Sequence, residues 1–174
     1  MEKHPIEGVK TNIFYTIYTN LHTNTAYSSL ATQITKIFPI TLNTFIIPTI
    51  YGRFIFNDGI PFMYSNVIGG EGYNPHYEQQ IPFSGLTHTE STLKLLGNAQ
   101  IQVRHKFHEK QYLTLSGNYA IHQNQFSNFL QGKKIYGTSI GYGYDSPLGP
   151  IEGFICYSNR TNKLGFYLNI GFGF

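Results

Sequence analysis

Charge is scarce in this sequence. Asp, Glu, Lys and Arg make up 12% of its 174 residues, about half the share of an ordinary soluble domain, so the charged coat that keeps a globular surface wet is thin. Tryptophan is absent and cysteine occurs once, at Cys156, which excludes an intrachain disulfide and leaves the redox compartment open. No apolar run approaches the 18 residues of a membrane-crossing helix. The opening MEKHPIEGVKTN has no apolar core and does not read as a signal peptide. A net charge of +3 without a dense Lys/Arg cluster excludes the basic footprint of a nucleic-acid binder.

What the chain does contain is Thr, Asn, Gln, Ser and Tyr as its polar stock, with 14 Tyr, 14 Phe and 18 Gly. That mixture suits β-structure. Period-two alternation dominates, and no stretch of 11 residues reads as an amphipathic helix. Eight strand-like segments follow, at about 8–19, 25–37, 42–56, 92–107, 111–122, 134–145, 149–158 and 165–174. In the third, Leu42, Ile46, Ile50, Phe54 and Phe56 oppose Asn43, Thr49, Tyr51 and Arg53. In the fifth, Leu113, Leu115, Tyr119 and Ile121 oppose Thr114, Ser116, Asn118 and His122. The last, GFYLNIGFGF, sets Phe166, Leu168, Ile170, Phe172 and Phe174 against Tyr167, Asn169, Gly171 and Gly173.

Segments of this length exceed the usual strand of about 5–6 residues and match tilted strands that cross a bilayer. Inside lipid every backbone amide must be paired by a neighbour, which only a closed barrel achieves. Tight turns at 146–149 and 158–162 are expected at one end, with the long connections 57–90 and 123–133 at the other, as in outer-membrane barrels. The same alternation fits a soluble β-sandwich or lipocalin-like ligand binder with its apolar face inward. No internal repeat is present.

The closing run Tyr142-Gly143-Tyr144-Asp145-Ser146-Pro147-Leu148-Gly149-Pro150, with a final strand ending at Phe174, resembles the end of the Omp85 superfamily. Members commonly close with a Ser-Pro-x-Gly-Pro turn and finish on an aromatic residue read by the outer-membrane insertion machinery. His4-Pro5-Ile6-Glu7-Gly8 is similar to the Pro-x-x-Gly that opens a mid-barrel strand there. YGRFIF (51–56), NVIGGEGYNPHYEQQIPFSGL (66–86) and YSNRTNKLGFYLNIGFGF (157–174) resemble the C-terminal barrel of patatin-like phospholipases from Bacteroidetes-type bacteria.

The resemblance implies an all-β fold: an antiparallel transmembrane β-barrel segment of about eight strands, the C-terminal half of a sixteen-stranded barrel. Residues 57–90 would be inserted in the lumen. Its implied partners are outer-membrane lipid, the barrel assembly machinery, an N-terminal barrel half and an upstream patatin domain. Localisation would be the bacterial outer membrane. Phe166, Leu168, Ile170, Phe172 and Phe174 would form the insertion signal. Two departures limit the inference. The superfamily's Val-Arg-Gly-Phe/Tyr signature is replaced by Glu71-Gly72-Tyr73-Asn74, so polypeptide transport is not carried over. The Gly-x-Ser-x-Gly nucleophile motif is missing, so no catalysis is expected of this chain. A complete small barrel or pore is the alternative.

Candidate site residues follow from charge placement. Arg53, Lys94 and Arg104 fall on polar faces of long strands, where a barrel directs cations away from lipid. Arg53 or Arg104 is expected to pair with the long loop through Glu71 or Glu78, with His76 as a further polar group of the same loop. His105 and His108, three apart on a strand, point to opposite faces and predict no metal site. Gly69, Gly70 and Gly72 lack the strand–glycine–helix context of a phosphate loop. No cofactor is expected.

Overall fold

A computed structural model describes residues 8–21, 24–58, 60–70, 79–86, 88–147 and 149–171. Eight long strands form one antiparallel sheet: β1 (Gly8–Asn20), β2 (Thr25–Thr41), β3 (Thr44–Ile55), β7 (Leu95–His108), β8 (Gln111–Gln123), β9 (Lys133–Ser146), β10 (Gly149–Ser158) and β11 (Leu164–Ile170). Each pairs with its neighbour in chain order, and β1 and β11 are the two edges. Between β3 and β7 the chain forms three short strands, β4 (Asn66–Ile68), β5 (Gln80–Ile81) and β6 (Glu90–Thr92), which make a separate sheet ordered β5-β4-β6.

The hairpin registers carry the period-two pattern across the sheet. Ile46, Val103, Leu115, Ile140, Ile155 and Phe166 form one continuous row, each paired with the next. One residue along, Ser116 pairs with Ser139 and Ser139 with Cys156. Because side chains alternate between faces, these registers divide the sheet into an apolar and a polar side.

The apolar side is the exposed one. Leu115 is 52% accessible, Ile140 47%, Ile155 54% and Phe166 67%. The buried set instead includes Arg53, Asn98, Thr114, Ser116, Asn118, Ser139, Glu152 and Ser158. This inverts the arrangement of a soluble domain, in which a one-sided sheet hides its apolar face. A contiguous apolar face of this extent requires a non-aqueous partner. The soluble ligand-binder reading, which needs the apolar rows inward, fails on this orientation.

The turns correct one expectation. β2–β3, β7–β8 and β9–β10 close at one end of the sheet, at 42–43, 109–110 and 147–148. The connections 21–24, 56–94, 124–132 and 159–163 all lie at the other end. The turns 146–149 and 158–162 therefore sit at opposite ends, because β10 runs between them. Turn length alone had grouped them, whereas the up-and-down order of antiparallel strands alternates them. The 57–90 stretch also holds more structure than its lack of alternation suggested. Strands of two or three residues are too short to show a period.

Candidate functional site: the loop-sealed polar face

Arg53 anchors the site. It lies on the polar side of β3, buried, and its guanidinium reaches both the wall and the start of the loop. Nη2 donates to Ser29 Oγ on β2 at 3.1 Å and to the Tyr64 carbonyl at 3.4 Å. Nη1 donates to the Ser65 carbonyl and to Asn66 Oδ1, both at 3.2 Å. Asn66 passes the connection on: its Nδ2 donates to the carbonyls of Leu93 at 2.7 Å and Lys94 at 2.9 Å. The backbone of Ile55 also donates to the Lys94 carbonyl, and the Lys94 ammonium pairs with Asp58. The two ends of the 57–94 segment are thus tied into one neck around a buried cation. A planar guanidinium suits this task because it offers several fixed donors at once.

Beyond the neck the loop lies on the polar face. Ile68, Phe83 and Leu86 are fully buried and cluster with Ala31, Tyr51, Leu96, Ala120 and Ile135 of the wall. The wall residues here are apolar or aromatic ones on a largely polar side, so a local apolar core forms between loop and sheet. Gln80 Nε2 donates to the Gly69 carbonyl at 2.7 Å, and the Gly70 amide donates to the Leu86 carbonyl at 2.7 Å. These bonds fold the loop on itself before it meets the wall.

Three serines make the closest polar contact. Ser84 of the loop lies 3.1 Å from Ser116 on β8 and 3.2 Å from Ser139 on β9, and the two wall hydroxyls are 2.6 Å apart. Hydroxyls bond mutually because each both donates and accepts. The three hydroxyls form a clasp between the loop and the wall. Glycine permits the approach: a Cβ at Gly137 would stand 1.9 Å from the Ser84 carbonyl oxygen. Gly85, at φ +84°, is shaped to the turn that follows, and a Cβ there would meet the Tyr157 carbonyl at 2.2 Å. Arg160 Nε, in the β10–β11 turn, adds an ion pair to Glu90 at 2.8 Å.

Towards the tight-turn end lies a second polar group. Glu152 on β10 is 1% exposed, and the Tyr112 hydroxyl donates to its Oε1 at 2.6 Å. The Arg104 guanidinium sits over the Tyr112 ring, 5.0 Å from its centroid. Arg104 therefore meets an aromatic face of its own wall, as cation–π geometry favours.

The structure brings Arg53 and the loop together through Tyr64, Ser65 and Asn66, with carbonyl and amide oxygens as acceptors. Glu71, His76 and Glu78, expected as the loop's charged contacts, lie outside the described residues. Phe172 and Phe174 of the expected insertion signal also lie outside them. Phe166, Leu168 and Ile170 are exposed on the apolar side of β11. Sequence places Ser116 on the polar row of its strand and assigns no site role to Ser84, Ser116, Ser139, Tyr112 or Glu152. Inward parity on β8, β9 and β10 marks all but Ser84, whose place in an aperiodic loop gave no signal. Among the described residues no three His, Cys, Asp or Glu side chains are placed to hold a metal ion, and no helix is long and apolar enough to cross a membrane.

A family model described as the OMP85 superfamily matches residues 3–174. The chain belongs to the OMP85 superfamily. Superfamily members are outer-membrane proteins, and this chain is accordingly of the outer-membrane β-barrel type. No curated protein matches it. In this OMP85-superfamily chain the apolar rows are the exposed ones and the polar side is the covered one.

Proposed function

We propose that the chain forms one half of the wall of a sixteen-stranded outer-membrane barrel, which anchors or exports a patatin-like phospholipase domain encoded upstream. The open sheet carries the first part of this reading. β1 and β11 each leave one side of their backbone unpaired, and unpaired strand amides are too costly to leave in hydrocarbon. Further strands joining both edges would satisfy them. The folded loop supports a filled interior: Ile68, Phe83, Ser84 and Leu86 of the loop pack on the polar side, and a self-closed eight-stranded barrel holds little beyond side chains. The chain's part is then structural, with no catalysis of its own.

The patatin assignment rests on the sequence runs 51–56, 66–86 and 157–174. Its test is fractionation. The native locus is expressed whole, and phospholipase activity is measured in outer-membrane and soluble fractions, with and without deletion of residues 164–174. Membrane-bound activity that is lost or released on deletion is the expected result. Absence of any membrane-associated lipase activity from the intact locus would refute the assignment.

A further inference from the structure

The long loop is held at its two ends by groups of different kinds. Its departing end hangs on Arg53, whose guanidinium donates to the Tyr64 and Ser65 carbonyls and stays charged at any physiological pH. Tyr64 also packs on the rings of Tyr18 and Tyr27, with centroids 4.4 Å and 6.0 Å away. The returning end, Leu93 and Lys94, is met by side chains from the end of β8. The Leu93 amide donates to His122 Nδ1 at 3.2 Å, and the Lys94 amide donates to Asn124 Oδ1 at 3.5 Å.

A backbone amide can only donate, so Nδ1 must offer a lone pair and the ring must be neutral, with its proton on Nε2. Protonation would set one N–H against another and remove the bond. Among the described residues, Lys133 faces His122 in register from β9, and Arg160 of the β10–β11 turn and Glu90 of β6 also act on it. Glu90 is already engaged by Arg160 Nε at 2.8 Å. From β7 the register partner is apolar Leu96, Lys94 is paired with Asp58, and the segment Phe126–Gln131 carries no titratable group. Two cations against one engaged acid disfavour a third positive charge.

We propose that His122 is an acid-released latch on the returning end of the loop. While the imidazole is neutral, the Leu93 amide is held and the neck stays closed. Protonation frees Leu93 and its neighbours, whereas Arg53 and the tyrosine contacts keep the departing end in place. Histidine suits this task because its charge changes between about pH 5 and 8. The closed end excludes the proton and the open end accepts it. Closure is therefore fully favoured above about pH 6.5, the ordinary value of a free imidazole, and weakens as pH falls below it.

The test is hydrogen exchange of the full chain in detergent micelles, read by mass spectrometry in peptides covering 90–94 and 62–66 at two pH values. His122→Asn is the reference, because its side-chain oxygen still accepts a hydrogen bond and never gains charge. Comparison at equal pH cancels the intrinsic pH dependence of exchange. Parent and His122→Asn should exchange alike at about pH 8. One unit below the free-imidazole value the parent should exchange about tenfold faster at 90–94, and no faster at 62–66. Lys133→Gln removes a neighbouring cation and should narrow that difference. Circular dichroism checks that each variant retains its strands. Within the parent alone the ratio of the two ends should rise by the same factor, which keeps the test decisive if a variant fails to fold. Equal acid exchange of parent and His122→Asn at 90–94 would overturn the inference. So would equal acceleration of both ends of the loop.

Discussion

Gly137 offers the sharpest perturbation of the loop-sealed face. A side chain there is aimed at the Ser84 carbonyl, with the first added carbon 1.9 Å from the oxygen. Ordinary contact needs more than an ångström beyond that. The obstacle is backbone on both sides, so the loop must back away. Overfilling a packed site costs about 1–3 kcal/mol. Near Gly137 the docked loop is held by the fully buried Phe83 and Leu86, alongside Ile68 of the same cluster, worth about 1.5–3 kcal/mol each, and by the serine clasp. Gly137→Val therefore weakens docking without abolishing the fold. At 1.4 kcal/mol per factor of ten, opening becomes about 5- to 150-fold more frequent.

The chain supplies its own reporter. Cys156, its sole cysteine, is 2% exposed on the same wall and pairs in register with Ser139. Labelling of this thiol by a charged maleimide should accelerate by that 5- to 150-fold in Gly137→Val. Gly117→Ala, where an added Cβ meets nothing within 4 Å, should label as the parent does. Equal labelling of Gly137→Val and parent would refute the claim that the loop is seated against β9.

Other perturbations follow from the same contacts. Arg53→Met removes four donated bonds at the neck of the loop and should cost about 1.5–3 kcal/mol, the loss typical of hydrogen bonds to a charged group. Denaturant unfolding in detergent measures it, and Arg53→Lys should recover little of the loss. Tyr112→Phe deletes a hydrogen bond to buried Glu152 and should lower stability by about 1.5–3 kcal/mol in the same assay. Leu115→Arg places a cation on the central exposed row. It should cost about 2–4 kcal/mol of stability in a bilayer, read from folding into vesicles, where a water-facing site of 52% exposure would tolerate it.

The long strands were legible because each has one side for hydrocarbon and one for polar groups, and such a division writes a clean period of two. The weakly alternating second strand is the one read well short, ending at 37 where β2 runs to Thr41, while the first, fifth and sixth differ at an end by a single residue. The fourth was read from 92, but Glu90–Thr92 belongs to the small sheet and β7 starts at Leu95. The loop was not legible, since its order comes from tertiary contacts of Ile68, Phe83 and Leu86 that follow no period. Arg53 was legible as an inward cation, yet its partners were not. Carbonyl oxygens of Tyr64 and Ser65 leave no trace in side-chain identity. The serine clasp was hidden for the same reason, because its third member sits in that loop.

Orientation of the sheet is the central claim, and the absence of tryptophan makes it directly measurable. Single tryptophans placed in turn at 113, 114, 115, 116, 138, 139 and 140 would be quenched in vesicles of brominated lipid. Strong quenching at 113, 115, 138 and 140, with weak quenching at 114, 116 and 139, is the predicted alternation. Quenching without alternation, or strongest at 114, 116 and 139, would contradict a sheet that turns its apolar rows to the bilayer.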